Sequence, residues 1–383
     1  GLGGAVSWVK IPSSSEKASA SPTQQLRADV EQALADATPT YSPPTSADLV
    51  AQGLKPWTPA LTNTTNAVNH QAVSEGISDI TSFPGATGVQ IGAASIDFQA
   101  GTGAIVGLKT GHQWSSPEMP LGLVRHAGHD EAQCNLLRDQ YNLRQCATSC
   151  GGCGFSKCNL GGTSTTSHVL TPVVTAAFSD LPPTGESDST VSAARFWFNY
   201  SFTDAVRGAP PPVAALSVAV NSTTDANGDT ITMVDFELQW WQKPSTREAE
   251  SMWFTISPIV ADGDVDENWV LDKLGRWVDP LSTVINGSRT VHAVWSGVRH
   301  LSIPTPDAEQ WDVDVVTVDA AVLSPSTDSL SPTGSFNLGT DGEPRPGSGG
   351  LHFNLFNNAW TTNYALFSVD AEQKFRWHMT LRG

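Results

Sequence analysis

Apolar and polar residues alternate with a period of two along much of the chain, and the clearest run is Thr230–Trp240, where Val234, Phe236, Leu238 and Trp240 interleave with Asp235, Glu237 and Gln239. Successive side chains of an extended backbone point to opposite faces, so this pattern predicts a strand with one buried and one open face. Ala194–Phe202 and Ala215–Val220 alternate in the same way. Between Ala215–Val220 and Thr230–Trp240 lies Asp225-Ala226-Asn227-Gly228-Asp229, whose Asn-Gly pair suits the left-handed positions of a tight turn and predicts a hairpin. Further strands are expected at Val89–Phe98, at Ala104–Leu108 after a Gly-rich turn, and at Met252–Ile256, Thr290–Trp295, Asp314–Val322, Leu351–Phe356 and Lys374–Leu381.

One stretch has a helical period instead. Ser21-Pro22-Thr23-Gln24 reads as a capping box with proline at the first helical position, and Leu26, Val30, Ala33, Leu34 and Ala37 follow at helical spacing. The proline-stiffened Thr38–Thr45 then reads as a linker. The expected organisation is a helical tail and linker over 1–58 and a β-sandwich region over 80–383, in one unit or two sub-sandwiches. Strands that recur without amphipathic helices between them imply antiparallel sheets packed face to face, so the fold class is mainly β, a large antiparallel β-sandwich preceded by a short helical segment.

Composition narrows the partners. A formal net charge of −17 over 383 residues repels nucleic acid and anionic membrane, while neutral sugars remain allowed. No apolar run is long enough to predict a membrane-spanning helix. The chain opens Gly1-Leu2-Gly3-Gly4, without an initiator methionine or signal peptide, and is expected to be a processed piece of a longer protein. Four N-x-[ST] sequons, at Asn63, Asn199, Asn221 and Asn286, in what read as turn or strand-edge contexts, are candidate glycosylation sites of a secreted, extracellular protein.

All 5 cysteines, Cys134, Cys146, Cys150, Cys153 and Cys158, fall within one segment, 134–158. Four thiolates around zinc and a disulfide-stapled loop both fit such clustering. The sequons and the Gly151-Gly152-Cys153-Gly154 filling favour disulfides in an oxidising compartment, with one thiol left over.

The segment Phe353–Phe367 packs amides and aromatics more densely than a core requires. Asn358, Trp360, Asn363 and Tyr364 are the candidate carbohydrate-binding residues. A carboxamide offers donors and acceptors to vicinal hydroxyls, and an aromatic face covers the apolar C–H patch of a sugar. Read in order, Phe236–Trp253, Leu271–Pro280, Asn286–Val294 and Asn357–Asn363 resemble successive blocks of a family of secreted proteins similar to glycoside hydrolase family 38, the α-mannosidases, and Ile96–Leu108 resembles the entry to their β-sandwich region. The resemblance spans about residues 90–383. The chain departs from the family pattern at Thr362, at Ala371–Gln373 and in the cysteine cluster.

What the resemblance implies is a sandwich of the galactose-mutarotase-like type, packed on a separate catalytic domain that supplies the zinc ion and the nucleophilic aspartate. The chain itself is then expected to hold no cofactor and no catalytic residue, acting as the non-catalytic subunit or fragment of an α-mannosidase-like hydrolase. A catalytically inactive extracellular structural or carbohydrate-binding glycoprotein is the alternative. The residues themselves agree with a chain lacking its own active site. Asp235 and Glu237 share a strand face but read as solvent-facing, Arg247 with Glu248 or Glu250 reads as an ion pair fixing a loop, and Asp262–Asn268 departs from the calcium-loop pattern at Glu267 and Lys273. His126, His129 and Asp130 lie close in sequence without a helix to align them, so surface or structural roles are expected.

Overall fold

The computed structural model describes residues 78–79, 88–128, 168–181, 191–202, 210–244, 250–260, 268–279, 292–302, 310–325, 350–357 and 371–383, all within the unit Ala60–Gly383. The expected helical tail, the five cysteines, two sequons (Asn63 and Asn286), and Asn358, Trp360, Asn363 and Tyr364 lie outside the described residues. So do His129, Asp130, Arg247, Glu248 and most of the acidic loop.

Among the described residues there is no helix, and the strands form two antiparallel sheets of 10 strands each. The first sheet runs in the order β1 (Ser78–Asp79), β8 (Val173–Ser179), β9 (Ala193–Ser201), β10 (Val213–Thr224), β11 (Thr230–Lys243), β20 (Ala371–Arg382), β17 (Trp311–Thr317), β16 (Gly297–Leu301), β13 (Trp269–Asp272), β14 (Trp277–Val278). The second runs β15 (His292–Ala293), β18 (Val322–Pro325), β19 (Leu351–Asn357), β12 (Glu250–Ile256), β6 (Leu121–Gly128), β4 (Ile105–Thr110), β3 (Ala94–Phe98), β2 (Val89–Ile91), with β5 (His112–Gln113) on β4 and β7 (His168–Leu170) on β6.

The β10–β11 hairpin shows how alternation becomes architecture. Its pairing runs unbroken from Val213 opposite Trp241 to Thr224 opposite Thr230 around the Asn227-Gly228 turn, where the Asp225 carboxylate accepts from the backbone N–H of Asn227 (2.8 Å) and Asp229 (3.0 Å). Val234, Phe236, Leu238 and Trp240 are buried, while Asp235, Glu237 and Gln239 stay on the open face. Between the sheets, Phe98 of β3 meets Phe196 and Phe198 of β9, and Phe254 of β12 stacks on Trp377 of β20 with ring centroids 4.0 Å apart. These contacts join both sheets in one hydrophobic core.

Three expected strands differ in detail. Val89–Phe98 is a hairpin, β2 and β3, folded at Gly92, which adopts φ of 55°. Asp314–Val322 is divided between β17 and β18, and the chain passes from the first sheet to the second through a turn in which the Thr317 hydroxyl donates to the Ala320 carbonyl (2.7 Å). Thr290–Trp295 is described from His292, and β15 there ends at Ala293, before Trp295. Asn199 and Asn221, expected in turn or edge contexts, instead sit on the interior strands β9 and β10, because β8 and β11 flank that pair on either side.

Candidate functional site

Two β-bulges at one end of the sandwich build a buried ionic cluster. Along β11 the odd-numbered residues Asp235, Glu237 and Gln239 face outward, and unbroken alternation would put Lys243 outside as well. The pairing with β20 slips between Trp240 and Lys243, and Gln242 takes a φ of 53°, a left-handed conformation uncommon for a side chain larger than asparagine. The extra residue reverses the phase, and Lys243 turns inward, 1% exposed. A second slip, between Met252 and Trp253, sets Leu355 as the additional residue in β19 and brings Phe356 opposite Met252. The Lys243 ammonium lies 4.2 Å from the Phe356 ring centroid.

Glu250, the first residue of β12, receives this lysine. Its Oε1 accepts from Lys243 Nζ and its Oε2 lies 2.8 Å from His126 Nε2 of β6. Glu250 and His126 are fully buried. Burial opposes ionisation of Glu250, but the bonds from His126 and the charge of Lys243 outweigh it and hold the carboxyl below its ordinary value. Burial is also the largest influence on His126; it outweighs the attraction of Glu250, with His168 and Lys243 adding to it, and holds the imidazole below its ordinary value. A neutral ring beside a carboxylate carries its hydrogen on Nε2 and donates it to Glu250, which leaves Nδ1, a buried atom with no hydrogen-bond partner among the described residues, as a bare acceptor. The His168 ring lies 5.6 Å from that of His126, against Gly128, where a Cβ would fall 2.2 Å from the imidazole.

Because both oxygens of Glu250 are engaged and the cluster is shut off from solvent, it has no geometry for attacking an external substrate. It can fix the ends of β6, β11 and β12 relative to one another. On the other face of β6, Arg125 donates to Thr255 Oγ1 and lies 2.9 Å from His352 Nδ1, so neighbouring residues of one strand anchor polar groups on both sides of the second sheet. At this same end β6 leads into the segment with the cysteines, β11 into 245–249, and β19 into the segment that carries Asn358, Trp360, Asn363 and Tyr364.

Asp235 and Glu237 lie on the open face of the first sheet, Asp235 2.8 Å from His378 and Glu237 2.8 Å from Lys374. They are cross-strand partners of β20 residues and are not gathered at the buried cluster. Sequence reasoning had noted Glu250 and His126 separately and missed Lys243 and their meeting. The available signal was the adjacent pair Trp240-Trp241, which breaks the period of two just before Lys243.

Comparison of the chain with protein-family models, with curated proteins and with solved structures finds no match in any of the three.

Proposed function

We propose that this chain is the non-catalytic β-sandwich part of an extracellular, α-mannosidase-like glycoside hydrolase, and that it handles carbohydrate at the end of the sandwich where Lys243, Glu250 and His126 meet. The observation that supports this reading is the placement of that cluster. Two bulges and a left-handed Gln242 maintain a buried lysine, carboxylate and histidine beneath the strand ends that lead into the amide and aromatic segment. A buried ion pair contributes little net stability compared with well-packed apolar residues. Strain of this kind gathers where a binding surface has to be held in one shape. In this reading Asn358, Trp360, Asn363 and Tyr364 contact the sugar, and the cluster positions the strand ends next to their segment.

Titration calorimetry of the purified chain against methyl α-mannoside and oligomannose tests the reading. Binding is expected, weakened at least tenfold by Trp360→Ala and unaffected by Glu237→Gln on the open face. Absence of saccharide binding, or full binding by Trp360→Ala, would overturn it. Hydrolysis of an aryl α-mannoside by the pure chain, abolished by substituting one carboxylate, would overturn the non-catalytic assignment.

A further inference from the structure

We propose that the open face of the first sheet carries a separate platform for a linear, uncharged polysaccharide, formed by Trp277, Trp295, Arg299, Trp311 and Arg382. Indole and guanidinium groups alternate across it. Arg299 lies 4.4 Å from the Trp277 ring centroid and 5.5 Å from that of Trp311, and Arg382 lies 3.8 Å from Trp311. These residues sit on β14, β16, β17 and β20, with β13 between the first two. The side chains lean together across these strands, so at most about 14 Å separates the Trp277 ring from the Arg382 guanidinium, room for a short run of sugar rings in line.

Trp295 is 68% exposed, an unusual setting for so large an aromatic side chain, and its backbone is bonded to β13, one of the strands the row crosses. Its position is fixed by Asp272, which is 5% exposed and is the cross-strand partner of Trp277. The Asp272 carbonyl accepts from Trp295 N–H at 2.9 Å, and its carboxylate accepts from Gly275 N–H at 2.6 Å and from the Ser296 hydroxyl. One buried carboxylate therefore ties together the two turns flanking the row, and an anchor held in place before binding loses less freedom when it binds.

The polar groups select for neutral ligands. Arg299 pairs with Asp314 at 3.2 and 3.3 Å, so donors and acceptors lie side by side, as hydroxyl groups require. Asp314 offsets the charge of Arg299, one of the two arginines in the row, and the net charge of −17 repels a polyanion at long range. The Arg382 guanidinium lies over Trp311 and makes no hydrogen bond or ion pair among the described residues, so its N–H groups are available to the ligand. Aromatic faces interleaved with charged groups suit C–H patches bordered by hydroxyls better than the continuous apolar centre of a protein interface.

This platform shares a ligand class with the proposed end site but not its residues, and the test separates the two. The chain is run in native gels containing glucomannan, hydroxyethyl cellulose, soluble β-1,3-glucan or, as a polyanion, alginate. Retardation by at least one uncharged polymer is expected, weakened at least tenfold in Trp295→Ala and Trp277→Ala and unchanged in Asn358→Ala and Trp360→Ala. Circular dichroism melts confirm that the exposed Trp295→Ala variant remains folded. Four outcomes overturn the proposal: no retardation by any uncharged polymer, retardation by alginate alone, loss in the end-site variants only, or a Trp295→Ala variant that binds polymer normally but loses self-association in sizing chromatography.

Discussion

Gly122 shows how closely single residues are constrained in this sandwich. It adopts a φ of 81°, and a Cβ added there would fall 2.7 Å from the Phe236 ring, so β6 approaches β11 more closely than a side chain allows. Gly122→Ala is expected to cost roughly 2–4 kcal/mol, from overpacking of about 1–3 kcal/mol and about 1 kcal/mol for the left-handed backbone. Urea unfolding reads this as a lower midpoint, and a loss below about 1 kcal/mol would mean that Phe236 repacks. At the opposite extreme, Glu237 and Lys374 are each 42% exposed and their ion pair is screened by water. The two positions differ because one lies at the contact between the sheets and the other lies on the open face.

At the scale of the strand, the bulge in β11 makes the most direct prediction. Lys243→Met takes the Lys243 ammonium away from the buried Glu250 carboxylate and is expected to lose about 3–5 kcal/mol, the usual consequence of breaking a buried pair from one side. Adding Glu250→Gln removes the buried negative charge while keeping an acceptor for His126, and most of the loss should return. A double variant as unstable as the single one would show that the lysine acts through packing against Phe356 instead. The strands themselves were legible in the sequence because alternation is a local property, and in β10 and β11 it survives with its register intact. Of the bulges the sequence shows only the break in period at Trp240-Trp241, which gives neither the extra residue nor its effect. A single extra residue at Gln242 reverses which face Lys243 occupies, and nothing in the pattern of Gln242-Lys243-Pro244 announces the reversal. Nor could spacing reveal that His126 and Glu250, or Trp277 and Arg382, are neighbours, because those pairings depend on strand order across a sheet.

For the molecule as a whole, the cluster sets a response to acid. The ordinary value for His126 is 6.5, and its folded value is lower, so below pH 6.5 the unfolded chain binds the proton more readily and folding is opposed. The ordinary value for Glu250 is 4.5, and its folded value is also lower, so its contribution is fully present above pH 4.5 and is lost as pH falls through the folded value. Both groups act in the same direction in successive windows. Thermal melts should therefore show stability falling in two stages, the first beginning near pH 6.5 and the second below pH 4.5. His126→Gln should suppress the first stage. A melting temperature constant from pH 7 to 5 would contradict the assignment of His126 as the earlier group.

The position of β20 has a consequence for assembly. It lies between β11 and β17, pairing with Ile231–Lys243 on one side and Val313–Thr317 on the other, and among the described strands it alone links the two halves of the first sheet. It also comes after every other described strand in chain order, so the first sheet stays in two halves until this segment arrives, and its partners on β11 are separated from it by all of β12 to β19. Contacts so distant along the chain close slowly. The protein is therefore suited to fragment complementation. A chain shortened before residue 371 should remain incompletely folded, and a synthetic peptide of residues 371–383 added in trans should restore the near-ultraviolet dichroism that Trp377 acquires when Phe254 stacks on it. Restoration by a peptide carrying Trp377→Ala to the same extent would show that strand pairing alone, without the aromatic contact between the sheets, completes the fold.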